Sequence, residues 1–449
     1  LSKRIVIIGA GPAGIFAGLT LKKAGAGERV LILEKGEDIA RRRREESILC
    51  GWGGAGAFSD GKLIISSEVG GFLAEFVPPA ELEQLLQEAD RVYLEHGVSD
   101  TLYGDMGSKA RKLAEEAKLA GLDFLPTRIR HIGTEHCPEV LRSMRESFTD
   151  DEVRTCADVE AILTEAATEG PQRVRGVRLA GGEEIEADFV IAAPGRSGAV
   201  WMRGEAARIG LSSHPNPVDI GVRVEAPAAV MKALTDVAYE AKLVYYSRTF
   251  DDKVRTFCMN PYGEVVVEHY GDIATVNGHS YKGRQTENTN FAILVSSSFT
   301  HPFDDPIGYG RYIAVLANLL GQGVIVQRLG DLLSGHRSTP ERIRRSLTRP
   351  TLASATPGDL SFVLPYRHLQ DILEMLEAMD RVAPGIFSRH TLLYGVEVKF
   401  YSNRIKLSPR LESQVAGLFV AGDGAGVTRG LLQASASGIL VAREILSRL

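Results

Sequence analysis

Gly9, Gly11 and Gly14 stand at the spacing Gly-x-Gly-x-x-Gly, directly behind the apolar run Ile5-Val6-Ile7-Ile8 and directly ahead of a helical pattern of Ile15, Phe16, Leu19 and Leu21. That order reads as strand, tight turn, helix, and the chemistry such a turn performs is to hold a pyrophosphate. Gly9 permits the turn, Gly11 with Pro12 and Ala13 brings backbone close to the phosphates, and Gly14 lets helix and strand pack tightly. The anion then rests on the helix N-terminus, where unpaired N–H groups and the dipole favour negative charge. Glu34, followed by Lys35, ends the next apolar run twenty residues past Gly14. An acid at that point accepts from a ribose hydroxyl. The plain alternative is the same turn with no ligand.

Other stretches fit the same task. Between Gly51 and Gly61 five of eleven positions are glycine, interleaved with Trp52 and Phe58. Such a loop, with Gly53, Gly54 and Ala55 at its centre, suits backbone lying along a flavin and its phosphates; a flexible linker would be richer in Ser. The run Arg41-Arg42-Arg43-Arg44-Glu45-Glu46 predicts a helix. Either its charges pair on a solvated face, Arg41 with Glu45 and Arg42 with Glu46, or Arg42 reaches the pyrophosphate or ribose. A buried strand from Phe189 to Ala193 enters Pro194-Gly195-Arg196, a second approach of the chain to the nucleotide. Near the far end, Gly422-Asp423-Gly424 places a carboxylate at a strand end, suited to a ribityl hydroxyl, and Gly430-Leu431-Leu432-Gln433 opens a last helix. The N-terminus of that helix can face the pyrimidine edge of a flavin, where negative charge appears on reduction.

Candidates for substrate contact and catalysis lie in the middle of the chain: Arg223, Cys258, Asn260, Tyr262 and Tyr394. Arg223 either binds a carboxylate bidentately or forms a structural ion pair. Cys258 is either a reactive thiol or a small buried apolar residue, and the tyrosines are either site groups or core. His131, taken alone, reads as a satisfied or surface histidine.

The elements that must position these groups follow from apolar spacing. Helices are predicted over Pro79–Glu95, Ser108–Leu119, Asp304–Leu320 and Leu369–Asp380, with a helix start at Ser338-Thr339-Pro340-Glu341 and a final helix to the chain end. Strands are predicted within Glu152–Leu163 and over Arg173–Leu179, Val218–Glu225, Lys242–Ser247, Val254–Met259 and Glu264–Tyr270. At 449 residues two domains are expected; hydrophobic content is 44% and charged content 24%, ordinary for a globular protein. A net charge of −5 offers no global attraction to nucleic acid or an anionic bilayer. The four cysteines form no CxxC, which argues against a zinc site, a disulfide framework or a dithiol relay and suits a reducing cytosol. No metal site is expected. The apolar N-terminus has neither a basic flank nor a cleavage signature, and no run spans a membrane without charge.

Gly9–Gly14 with Glu34, Ala192–Gly198 and Leu418–Gly426 together resemble the FAD-binding elements of the two-dinucleotide-binding-domain flavoprotein superfamily. The runs GGAGAFSDGKL (53–63), HIGTE (131–135), DIGVRVE (219–225), FCMNPYGEVV (257–266) and LLYGVE (392–397), with the GDGAG tail, narrow the resemblance to the uncharacterised FAD-dependent dehydrogenase family of NAD(P)/FAD-dependent oxidoreductases. It spans nearly the whole chain, and GGAGAFSDGKL is its most specific part. The resemblance implies that Gly9, Gly11 and Gly14 hold the pyrophosphate of FAD and Glu34 the adenosine ribose. Gly53, Gly54 and their neighbours then line the flavin, Asp423 sits at the ribityl and phosphate region, and Val159 lies near the adenine. Two departures stand out: Cys50-Gly51-Trp52 where an acidic residue and a Phe are common, and Asn260 where a second Cys is usual.

The expected fold class is α/β: a Rossmann-like FAD-binding domain of the glutathione-reductase-like kind, with an inserted α+β substrate domain on a mixed β-sheet. Residues 1–210 and 391–449 would form the first and 211–390 the second. A CxxxxC relay is lacking, which removes the disulfide reductases, and no second GxGxxG unit follows Gly195. NAD(P)H, if it is the donor, must dock transiently. The leading expectation is a cytoplasmic FAD-dependent dehydrogenase or reductase moving a hydride between flavin N5 and a small organic substrate, with no nucleic-acid or membrane partner. The alternatives are an FAD-dependent monooxygenase and a flavoprotein acting on RNA; a basic, aromatic-studded segment for the latter is lacking.

Overall fold

The structure is a computed structural model, and it describes residues 4–43, 48–104, 107–125, 127–166, 172–270, 272–281, 284–300, 302–303, 305–400 and 403–449. The chain divides into two units. One comprises Leu1–Thr101, Arg130–Asn216 and Tyr401–Leu449; the other comprises Leu102–Ile129 and Pro217–Phe400. Both mix helices with sheets.

The first unit is built on a five-stranded parallel sheet ordered Leu418–Val420, Phe189–Ala192, Ile5–Ile8, Val30–Leu33, Val153–Arg154. The first four strands are apolar and buried throughout, as a parallel sheet covered on both faces requires. Ile5–Ile8 lies between Phe189–Ala192 and Val30–Leu33, so the glycine turn that follows it leaves from the middle of the sheet. The helix Pro12–Lys23 leads out of that turn and packs on the last helix, Leu431–Leu446. Their approach is close: a Cβ on Gly438 would lie 2.1 Å from the Ala13 carbonyl oxygen. The unit also holds an antiparallel sheet of Val159–Glu165, Arg173–Leu179 and Glu184–Glu186 and the helices Pro79–Glu95, Cys137–Glu146 and Ala199–Arg208.

The second unit carries an eight-stranded sheet ordered Thr356–Pro357, Ile325–Arg328, Leu392–Lys399, Val218–Pro227, Asn288–Ser297, Lys253–Asn260, Lys242–Tyr246, Leu122–Leu125. Every pairing is antiparallel except that of the first two. Along Val218–Pro227 the side chains alternate. Ile220, Val222 and Val224 join a core with Met231, Ile293, Ile372 and Met375, while Asp219, Arg223 and Glu225 point to the other face. The helices Pro306–Gly321 and Tyr366–Met379 close the apolar side. A hairpin, Glu264–Tyr270 with Ile273–His279, brings Asn277 and Glu268 to the charged side.

Predicted helices at Pro79–Glu95 and Ser108–Leu119 appear with those bounds, and Thr339 caps Pro340–Arg344 by accepting from Arg342 N–H. The helix expected from Asp304 starts at Pro306, capped by Asp305; residue 304 lies outside the described residues. Past Gly36 the described chain turns instead of forming a helix, with the Asp38 carbonyl accepting from both Arg41 and Arg42 N–H. The Arg42 side chain is buried and donates to the Trp52 and Gly54 carbonyls, so it is tied to the following loop and does not lie on a solvated helix face. Residues 44–47, on which the expected pairs to Glu45 and Glu46 fall, lie outside the described residues.

Candidate functional site

The glycines of the first unit converge. Gly53 N–H donates to the Ala10 carbonyl at 2.7 Å, and a Cβ on Gly54 would stand 3.2 Å from Gly11 Cα. A Cβ on Gly422 would sit 3.0 Å from Ala13 Cβ, and one on Gly424 2.9 Å from the backbone of Gly195. The start of the chain, the 51–58 loop, the turn after Phe189–Ala192 and the segment before the last helix therefore meet around one helix N-terminus. Residues more than 400 positions apart in the sequence, Ala13 and Gly422, come into contact through sheet order alone.

Gly11 caps the helix Pro12–Lys23 without a side-chain hydrogen bond, and the first turn holds no acid. Apart from Gly11 itself and its two chain neighbours, no heavy atom of the described residues lies within 4 Å of where a Gly11 Cβ would be. Open space therefore faces N–H groups that have no intrahelical acceptor, the setting that favours an anion. The last helix begins likewise at Gly430, extended and without a side-chain cap. Behind it, Gln433 is buried and donates through Nε2 to the carbonyls of Val69 (3.0 Å) and Ser66 (3.4 Å). Its Oε1 finds no hydrogen-bond partner among the described residues. Leu432 is buried beside it, and Leu431 Cδ2 would be 3.1 Å from a Cβ on Gly56.

Glu34 is a hub. Its Oε2 accepts from Ala10 N–H at 2.8 Å, and its Oε1 accepts from Gly36 N–H and Gly51 N–H, both at 2.9 Å. One buried carboxylate thus ties the pyrophosphate-type turn to two loops and keeps a lone pair on Oε2 for a further donor. Ala157 N–H donates to the Glu34 carbonyl, which sets Val159, two residues on, on the strand leading away from Glu34. Lys35 is exposed. Arg42 is spent on the loop: it donates to the carbonyls of Trp52 (2.7 Å), Gly54 (2.9 Å) and Ile48 (3.2 Å) and lies over the Phe58 ring. It shapes Gly53, Gly54 and Ala55 from behind.

Asp423 accepts from the Thr428 hydroxyl at 2.7 Å; desolvation raises its pKa, against the pull of Arg196 and Arg429. Arg196 directly follows Gly195 and Arg429 directly precedes Gly430, so the signal for both was their place beside site glycines, which by itself assigns them no role. Burial, reinforced by Glu34, pushes the Cys50 thiol up to about 11, and burial pushes Cys137 to about 12, so neither is a thiolate at neutral pH.

In the second unit the structure brings Arg223 and Cys258 together, but through the cysteine's carbonyl. Arg223 donates to Glu397 (2.7 and 2.9 Å), the Cys258 carbonyl (2.9 Å), Asn290 Oδ1 (3.0 Å) and Asn277 Oδ1 (3.2 Å). All five guanidinium N–H groups are engaged, and the side chain is fully buried. The fork that could have held a substrate carboxylate holds Glu397. Cys258 and Tyr262 have positive φ, 47° and 53°, at a register shift of Lys253–Asn260 and at the turn after it. Tyr262 is exposed, Asn260 buried, and Tyr394 OH donates to Glu225 Oε2 at 2.5 Å. Among the described residues no cluster of His, Cys, Asp or Glu could hold a metal ion, and no helix is long and apolar enough to cross a membrane.

Comparison with known proteins yields the following likenesses. An uncharacterized protein of Clostridium beijerinckii is 27% identical, aligned over all of this chain and 81% of its own length. Among solved structures, L-proline dehydrogenase from P. horikoshii is 13% identical with a TM-score of 0.44, covering 100% of this chain and 94% of that one. CtdE in complex with FAD is 12% identical with a TM-score of 0.33, covering 100% and 90%. Residues 217–400, the larger part of the second unit, match the family described as FAD-dependent protein, C-terminal domain-like.

Proposed function

We propose that the protein is an FAD-dependent oxidoreductase whose first unit holds the dinucleotide in the glycine-lined cradle. The pyrophosphate lies on Gly9, Gly11, Pro12, Ala13 and Gly14, the adenosine ribose on the open lone pair of Glu34, and the adenine beside Val159. Gly195, Gly422 and Asp423 take the ribityl and phosphate region. Gly53, Gly54 and Ala55 run along the flavin, and Leu431, Leu432 and Gln433 present the second helix N-terminus to its pyrimidine edge. Bound FAD supplies one chemistry, acceptance and release of a hydride at N5, here with a small organic substrate and with NAD(P)H as transient donor.

The chain's own part is binding and orientation. Glu34 holds the turn and two loops in register, Arg42 fixes the loop that backs the ring, and the two helix N-termini offer N–H groups to the negative ends of the ligand. The observation that carries this reading is the open space at Gly11 in front of an uncapped twelve-residue helix, ringed by the other glycine segments. The match of residues 217–400 to an FAD-dependent family supports it.

The test is the spectrum of the purified full chain. A bound flavin gives visible absorption bands, or the colourless chain quenches the fluorescence of added FAD with saturation at micromolar concentration. Anaerobic NADH or NADPH then bleaches the bands, and an organic acceptor restores them. A colourless chain that leaves FAD fluorescence unchanged overturns the proposal.

A further inference from the structure

The helix Pro306–Gly321 is apolar on two sides, with Arg311 and Asn318 on a third. Pro306, Gly310, Ile313, Ala314 and Ala317 face the core of the second unit. On the opposite side Tyr312 is 79% exposed, Val315 44%, Leu316 37%, Leu319 74% and Leu320 50%. These five stand at i, i+3, i+4, i+7 and i+8, a continuous stripe over more than two turns. A contiguous exposed apolar stripe marks an interaction surface, and scattered single exposures do not produce one.

The only charged residue of the helix is Arg311, and it is paired with Asp272 at 2.5 Å. The stripe therefore carries no free cation for lipid headgroups, and a chain of net charge −5 is repelled by an anionic bilayer, whereas interfacial helices carry Lys and Arg on their polar side. Taking about 150–250 Å² for each large side chain, the exposed part of the stripe is roughly 500 Å². Two such faces pressed together bury roughly 1,000 Å², which reaches the lower bound of a specific protein interface. A stripe of this spacing is self-complementary when two helices run antiparallel across a two-fold axis.

We propose that this face is an isologous interface with a second copy of the chain, the two helices antiparallel and crossing near Leu316. In that arrangement Leu316 meets its own counterpart, and Tyr312 of one copy lies beside Leu320 of the other.

Light scattering coupled to size exclusion on the full chain at micromolar concentration tests this. The expected result is twice the mass of one chain for the wild type and a single-chain mass for Leu319→Glu, whose dimer dissociation constant should rise at least about 100-fold. Leu119→Glu, at an exposed site on another helix, should remain dimeric. Leu316→Cys in a Cys156→Ser background should form a covalent dimer on oxidation, while Leu119→Cys in the same background should not. Circular dichroism checks that Leu319→Glu is folded; if it is not, the Leu316→Cys cross-link decides alone. A monomeric wild type, a Leu319→Glu chain that is folded and still dimeric, co-flotation of monomer with phosphatidylglycerol vesicles, or failure of the cross-link overturns the proposal.

Discussion

Arg223 and Glu397 meet as a planar fork, Nε to Oε2 at 2.7 Å and Nη2 to Oε1 at 2.9 Å, with neither side chain touching solvent. The carboxylate, with its hydrogen bonds, outweighs the desolvation that burial imposes on the guanidinium and holds its pKa above the ordinary arginine value. The cations and anions of this face continue through Lys399, which bridges Glu397 (3.1 Å) and Glu268 (3.3 Å). The pair is part of the framework of the sheet.

Removing Glu397 leaves the buried Arg223 guanidinium without a carboxylate, and removing Arg223 leaves the buried Glu397 carboxylate with Lys399 as its remaining cation. Arg223→Met or Glu397→Leu should each destabilise the chain by about 3–5 kcal/mol, and the double variant should recover most of that loss. Urea midpoints for the four chains check it. If Arg223→Met unfolds at the wild-type midpoint and only raises a substrate KM, the structural assignment is wrong.

Gly11 and Gly14 separate binding from folding. A Cβ on Gly14 would fall 1.9 Å from the Gly9 carbonyl oxygen, so Gly14→Ala should cost about 1–3 kcal/mol or more whatever is bound. A Cβ on Gly11 meets no described atom, so Gly11→Ala should melt with the FAD-free wild type to within about 0.5 kcal/mol. It should nevertheless bind FAD at least about tenfold more weakly, because the methyl occupies the space meant for the phosphates. Thermal melts and fluorescence titration of FAD-free protein read the two effects separately.

Glu34 faces three backbone N–H groups, and an amide cannot accept on both ends. Glu34→Gln turns an NH2 toward at least one N–H, which should cost about 1–3 kcal/mol in the melt. FAD affinity should fall with it, because the turn and the 51–58 loop lose their common anchor. An unchanged melt with weakened FAD binding would limit Glu34 to ligand contact.

The loop Ser247–Asp252 and the helix Tyr366–Met379 carry opposed pH dependences. Burial holds His368, which meets Ser297 Oγ at 2.9 Å, down to about 4 from an ordinary value of 6.5. The unfolded chain then binds the extra proton between those values, so this contribution is complete above pH 6.5 and is lost as pH falls toward 4, up to about 3 kcal/mol in all. Burial, with the Asp252 carboxylate adding to it, pushes Asp371 up to about 6. Its contribution has the other sign, complete below pH 4 and lost as pH rises through 6. In the wild type these two contributions should nearly cancel between pH 4 and 6. Relative to the wild-type profile, the stability of His368→Gln should fall with rising pH across that window, and that of Asp371→Asn should rise. Denaturation curves at several pH values decide, and parallel profiles for the two variants would refute the assignment.

Some of this protein is written locally. The strand, turn and helix from Ile5 to Lys23 follow from apolar runs and three glycines, and the Thr339 cap from the order Ser-Thr-Pro-Glu. Helix spans such as Pro79–Glu95 follow from spacing, because i, i+3, i+4 burial depends on neighbours in the chain. The strand Leu392–Lys399 is not legible from its own sequence. Only Val396-Glu397-Val398-Lys399 alternates, the first half is apolar with a glycine, every residue is buried, and its place is decided by pairing with Val218–Pro227.

By itself, the sequence determined the glycine turn, the acid twenty residues beyond it and the return of a Gly-Asp-Gly near the far end, because each is a short pattern whose meaning lies in backbone conformation. The tertiary structure alone decided where the guanidiniums went. Arg42 turns back onto the loop that follows it, and Arg223 finds Glu397 at a separation of 174 residues, a partner supplied by strand order. It also decided which side of Pro306–Gly321 the core would claim. With apolar residues on both sides, nothing in that helix's own spacing could choose, and the choice was made by the sheet it packs against.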